Sequence, residues 1–117
     1  MQNNIVEEFN VYRSKMNEKL LADNNKIIKR IFNLDTNAFS EGVLPKKTKE
    51  LLGLGNSLVL RCDDCVRYHL EESHKLGITK EEIVEAMSIS LLIGGTIVVP
   101  HLRRAFEYWE ALEETTV

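Results

Sequence analysis

The apolar residues of this chain recur every three or four positions, and nowhere do they alternate one by one. Helices repeat their faces every ~3.6 residues and strands every second one, so the pattern restricts the chain to helices packed on helices. Ile5, Phe9, Tyr12 (or Val11), Met16 and Leu20 give residues 3–22 an apolar stripe, which Asp23-Asn24-Asn25 breaks. Ile27, Ile28, Ile31, Phe32 and then Phe39 predict a second helical region, in one piece or two around Asn33 to Asp35. Ser40-Glu41-Gly42 ends it, with the glycine as a C-terminal cap. Pro45 opens a third helix, where its missing N–H costs nothing, and Leu51, Leu52, Leu54, Leu58 and Val59 face inward. Gly53 and Gly55 each cost about 1 kcal/mol against alanine in a helix interior, so they read as places where a neighbour comes close.

A fourth helix runs from about Cys62 to Lys75 and stops at Gly77. Thr79-Lys80-Glu81-Glu82 is a capping box that starts the fifth, Ile83 to about Ile93. The last helix carries Val98, Leu102, Ala105, Trp109 and Leu112, with Pro100 blurring its start. The expectation is an all-α single domain of about six helices over residues 1–117. Met87, Ile89, Leu91, Leu92 and Ile93, followed by Ile97, Val98 and Val99, make the fifth helix apolar almost all round. Such a helix is covered on every side, either centrally within one chain or, in a chain this short, against another subunit.

Within this helical frame, chemistry concentrates in Glu50 to His69. The stretch holds both cysteines, Cys62 and Cys65, spaced C-x-x-C, with His69 four residues after the second and Glu50 twelve before the first. Steps of three and four place Cys62, Cys65 and His69 on one helical face. In one unbroken helix Glu50 would lie roughly 18 Å from Cys62. If the chain reverses near Val59 to Arg61, Glu50 instead comes level with His69 on the returning helix. Asp63 and Asp64, residues that favour helix starts, support the reversal.

Two thiols within bridging reach beside an imidazole suit dithiol–disulfide chemistry. His69 can pair with Cys65 and stabilise its thiolate, while Glu50 can orient His69 or move a proton. A helix N-terminus favours a thiolate. Asp63 and Asp64 oppose one, with Arg61 and Arg67 near enough to offset them. A structural zinc site would need a second Cys/His pair; Glu50 would be an unusual fourth ligand, so no metal and no cofactor is expected. Two inert core cysteines are the plainer alternative. His74 and His101 belong to no motif and read as surface or core-edge histidines, and Tyr68 and Trp109 as packing.

Composition bounds the function further. The hydrophobic fraction of 44% and charged fraction of 28% are those of a soluble domain. A net charge of −3 gives no footprint for nucleic acid, and the run Lys46, Lys47, Lys49 reads as a solvated face. The polar, acidic N-terminus is unlike a signal peptide, and the apolar run Ile89 to Pro100 is too short to span a bilayer. Two cysteines without an export signal imply a reduced, cytoplasmic setting, in which a close pair reads as redox or metal chemistry.

The pattern E-x11-C-x-x-C-x-x-x-H in an all-helical chain of this size resembles the carboxymuconolactone decarboxylase family, and within it the AhpD-like alkyl hydroperoxidase branch. The resemblance covers about Leu44 to Leu112, including LPKKTKELLGLG and GITKEEIVEAM; the helices of residues 3–40 support it only by being helical. It implies a thiol-dependent peroxidase or disulfide oxidoreductase. Cys65 would attack a peroxide or disulfide, Cys62 would resolve the sulfenic acid, and Glu50 and His69 would form the proton relay. A protein or small-molecule dithiol would act as reductant, and the assembly would be a homo-trimer or hexamer. One departure stands out: the better-studied hydroperoxidases have histidine just before the second cysteine, where this chain has Asp64. The reading from another class is a non-catalytic oligomeric redox-sensing or binding protein with a reversible Cys62–Cys65 disulfide.

Overall fold

In the computed structural model, which describes residues 3–115, the chain forms six α-helices and one short 3-10 turn. They are α1 (Asn3–Ala22), α2 (Lys26–Ala38), α3 (Lys46–Val59), α4 (Asp63–Lys75), α5 (Lys80–Gly94), the 3-10 turn Thr96–Val98 and α6 (Val99–Thr115). Helix α3 packs between α4 and α5, α4 packs on α6, and α1 lies along α6. The core is where these helices meet: Leu54 and Leu58 of α3, Val66 and Leu70 of α4, Ile83 and Met87 of α5, and Tyr108, Trp109 and Leu112 of α6. Each buried side chain of this size contributes about 1.5–3 kcal/mol by leaving water.

The turn between α3 and α4 sets the site. At the end of α3 the Cys62 N–H donates to the Ser57 carbonyl at 3.0 Å, and the Arg61 N–H to that of Leu58 at 3.0 Å. This is a Schellman closure, and Arg61 occupies the left-handed position at φ 60° that glycine usually fills. The same closure ends α4, with Gly77 in that position at φ 77° and Ile78 donating to Ser73. The reversal at Val59 to Arg61 therefore sends α4 back along α3.

Several local expectations change. Helix α2 is one continuous helix through Asn33 to Asp35. Asn25 caps it, accepting from the Ile27 and Ile28 N–H groups, and Asn33 and Asn37 bond one turn apart on its polar side. Phe39, not Gly42, closes it, and Gly42 instead donates to the Leu44 carbonyl. Pro45 is the residue just before α3, and Leu52 points outward. The cap of α4 is the Cys62 sulfur, while Asp63 and Asp64 occupy its first turn. The Thr79–Glu82 capping box forms on both sides as expected.

The fifth helix is not a central helix of the single chain. Ile83 and Met87 are buried, but Ile89, Leu92, Ile93 and, just beyond, Ile97 are all more than half exposed. Helix α2 is likewise uncovered: none of its residues is buried, and Ile27, Ile31 and Leu34 face out.

Candidate active site

Glu50 is a carboxylate with no exposure at all, on α3. Its Oε1 lies 2.8 Å from Nδ1 of His69, and its Oε2 accepts from the Lys46 ammonium at 3.2 Å. An ionised carboxylate only accepts, so Nδ1 carries a proton, and in the neutral imidazole Nε2 would keep its lone pair. Burial pushes the Glu50 carboxyl up, but the hydrogen bonds and charges of His69 and Lys46 outweigh it and hold it below the usual carboxylate range. The imidazole itself is boxed in. Phe39 lies over it at 4.9 Å between centroids, and Tyr68 meets it edge-on at 5.3 Å. Gly53 also borders the ring: a Cβ there would come within 2.6 Å of the His69 Cε1. The glycine inside α3 thus makes room for the histidine of α4.

Cys62 and Cys65 are both free thiols, the first half-buried and the second exposed. The Cys62 sulfur accepts from the Cys65 N–H at 3.3 Å, which places the pair across the first turn of α4. Cys65 and His69 open into a cleft of about 520 Å3 walled by α1 through Phe9, Tyr12, Met16 and Leu20. Arg13 of α1 stacks on Tyr68 in the same cleft, its guanidinium carbon 4.3 Å from the ring centroid. Burial, the adjacent Cys62 sulfur and the charges of Asp64 and Asp35 push the Cys65 thiol up to about 11. Left to itself this thiol stays protonated near neutrality, so its reaction depends on a base within reach.

The two aspartates of the motif have different partners. Asp64 pairs with Arg67 at 3.0 Å. Asp63 is held from α6: His101 Nδ1 lies 2.7 Å from its Oδ1, and Arg104 Nε donates to its Oδ2 at 2.8 Å. Burial raises the Asp63 carboxyl, but these two partners bring it below its ordinary value. Of the two arginines read as offsetting the aspartates, Arg67 does so, while Arg61 serves the turn and Arg104 takes its place. His101 is a partner of the motif rather than a bystander; His74 packs edge-on to Trp109 at the core edge.

The structure therefore brings Glu50 to His69, and Cys65 and His69 to one cleft. Lys46, read in the sequence as part of a solvated face, is the member that reading missed. Its signal was the four-residue spacing to Glu50, which is common on helix surfaces and reveals nothing until Glu50 is known to be buried. The α1 wall was missed because nothing local marks Arg13 or Tyr12 as facing a thiol. Among the described residues no three His, Cys, Asp or Glu side chains are disposed to hold a metal ion.

Residues 26–108 match the carboxymuconolactone decarboxylase family, and the chain belongs to it. The match begins in α2, earlier than the motif-based resemblance reached. Two crystal structures of one Thermotoga maritima protein share 50% identity with this chain. One covers 93% of it and 96% of the Thermotoga chain at a TM-score of 0.91. The other covers 92% and 91% at 0.88, and describes a family member with a possible part in an antioxidative response. A family member from Legionella pneumophila is 29% identical, with 97% and 92% covered at a TM-score of 0.64. An uncharacterised protein of Cupriavidus necator is 31% identical over 75 residues, which make up 64% of this chain and 66% of that protein. No helix among the described residues is long and apolar enough to cross a membrane.

Proposed function

We propose that the protein is a thiol-dependent peroxidase or disulfide oxidoreductase with Cys65 as the attacking thiol. The observation that carries this reading is His69, tied through Nδ1 to the buried Glu50 and sharing one cleft with Cys65. His69 takes the Cys65 proton. The thiolate then attacks the peroxide, an S–O bond forms as the O–O bond breaks, and His69 returns the proton to the departing alkoxide to give an alcohol. Cys62 attacks the sulfenic acid at Cys65, forming the disulfide and releasing water. A dithiol restores both thiols by exchange and leaves as its own disulfide. With a disulfide as substrate, Cys65 attacks a sulfur and a thiol departs. The apolar α1 wall suits a substrate with an organic stem better than hydrogen peroxide alone.

The Cys65 thiol at about 11 favours a second reading, a redox-sensing or binding protein that forms the Cys62–Cys65 disulfide without turning over. In both readings the chain works as a homo-oligomer. The apolar side chains left uncovered on α2 and α5 are the surface that a trimer or hexamer would cover.

Intact-mass analysis after stoichiometric alkyl hydroperoxide tests the chemistry. Wild type is expected to lose about 2 Da, and Cys62→Ser to gain one oxygen as sulfenic acid at Cys65. Unchanged masses in both would remove peroxide as the oxidant. Disulfide formation without multiple turnover by any dithiol would decide for the sensor.

A further inference from the structure

Lys46 stands first in α3, a poor place for a cation on helical grounds. The helix N-terminus carries partial positive charge, and lysine four residues before glutamate is the weaker order of that pair. Helix stability does not account for it. Its ammonium nonetheless reaches inward, donating to Glu50 Oε2 at 3.2 Å and to the Phe39 carbonyl at 3.3 Å. Its side chain keeps 38% of its surface in water against 1% for Glu50.

Burying a net charge is costly, so a fully enclosed carboxylate must find its balancing cation nearby. If His69 were the sole partner, it would supply the balance by taking a second proton. Its Nε2 would then be occupied and unable to receive the proton of Cys65. An ammonium already on the other oxygen removes that demand. We propose that Lys46 is a positioning residue of the relay: by balancing Glu50 it leaves the His69 imidazole uncharged, with Nε2 open to the Cys65 proton. Lys46 also bonds the carbonyl of Phe39, the residue whose ring lies on His69, so it fixes the imidazole in place as well as in charge. This assignment rests on the thiol chemistry proposed for Cys65.

The other charged and titratable groups around His69 are Arg13 from α1, Asp35 from α2, Lys49 from α3, and Asp64, Cys65 and Tyr68 from α4. None differs between the proteins to be compared. The test is the pH dependence of iodoacetamide alkylation in full-length Cys62→Ser, whose single remaining thiol is Cys65. Removing a nearby cation favours the protonated form of every neighbouring group. In Lys46→Met the half-point therefore moves up by about one pH unit, which slows alkylation about tenfold on its acid side. Lys46→Arg keeps the charge and stays within about 0.3 unit of the parent. Lys46→Gln repeats the comparison with a polar neutral side chain should the methionine variant not fold.

In a Glu50→Gln background there is no carboxylate to balance, and the effect of Lys46→Met falls to less than half. A methionine profile lying on the parent's, an arginine profile displaced as far as methionine's, or an undiminished shift in the Glu50→Gln background would each overturn the assignment. Alkylation needs neither peroxide nor reductant. A protein that follows the expected profiles yet turns over no substrate would sink the functional reading and leave the role of Lys46 intact.

Discussion

Two carboxylate–imidazole pairs stand out among the described residues, and nearly everything but their bond length differs. Glu50 and His69 meet at 2.8 Å, Asp63 and His101 at 2.7 Å, each through Nδ1. In the first pair the carboxylate is sealed from water, its second oxygen faces a lysine, and the ring borders the cleft that holds Cys65. In the second, Asp63 keeps 28% of its surface and His101 15%, Arg104 closes the other oxygen, and neither residue lines that cleft. In the proposed function the first pair moves a proton. The second ties the turn between the cysteines to α6 and cancels a negative charge beside the thiols. A short Asp/Glu–His contact is thus not in itself catalytic; burial and what the free ring nitrogen faces decide its use.

Activity should separate the pairs most sharply. His69→Ala is expected to lower kcat/KM for peroxide or disulfide by roughly a hundred- to ten-thousandfold, the usual worth of a positioned acid–base group. His101→Ala is expected to stay within about tenfold, as a change in placement rather than in chemistry. Equal losses in steady-state assays would break the comparison.

Stability should follow in the same order. Glu50→Ala leaves the buried imidazole without its counter-group and should cost about 3–5 kcal/mol in urea unfolding. Asp63→Ala removes a partly solvated pair, for about 1 kcal/mol. Gly53→Ala drives a methyl into a ring that Phe39, Tyr68 and Glu50 keep from moving, and about 1–3 kcal/mol should be lost. At Gly55 the nearest atom to an added Cβ is the Ser90 hydroxyl at 3.2 Å, so its alanine variant should lose less.

The smallest effect is the dependence of stability on acid. Both Glu50 and Asp63 titrate below their ordinary values in the folded chain. In the window between the lowered and the ordinary values the unfolded chain binds more protons. Their contribution is therefore complete above the ordinary carboxylate range, about pH 4, and is lost as pH falls through the folded values. Glu50→Gln and Asp63→Asn should each flatten the acid side of a plot of unfolding free energy against pH. A slope unchanged in either would mean that the pair it belongs to does not hold its carboxylate ionised.

Much of this architecture was legible from local pattern. Periodicity gave the helices, Thr79 and Glu82 the start of α5, and the glycine at 77 the end of α4. Misreadings arose where two local signals competed. Asn33 to Asp35 left one helix or two open because polar residues clustered there, yet a helix with one uncovered side tolerates them. Gly42 looked like a cap because glycine so often is one, yet the preceding Phe39 already closes the helix with bonds to Asp35 and Asn37. Cys62 took the capping position that the aspartates seemed better suited for, because the closure at Arg61 fixes which residue comes next.

The residue types and spacings alone determined a helical chain and left two cases for Glu50, one unbroken helix or a reversal after Val59 that sets it against His69. Those relations span one turn or one hairpin, within reach of short-range geometry. Tertiary structure decided that Lys46 shares the buried carboxylate, that His101 and Arg104 hold Asp63, and that α1 walls the cleft at Cys65. Such pairings join residues far apart in the chain or depend on complete exclusion of water, and both are properties of how whole helices pack.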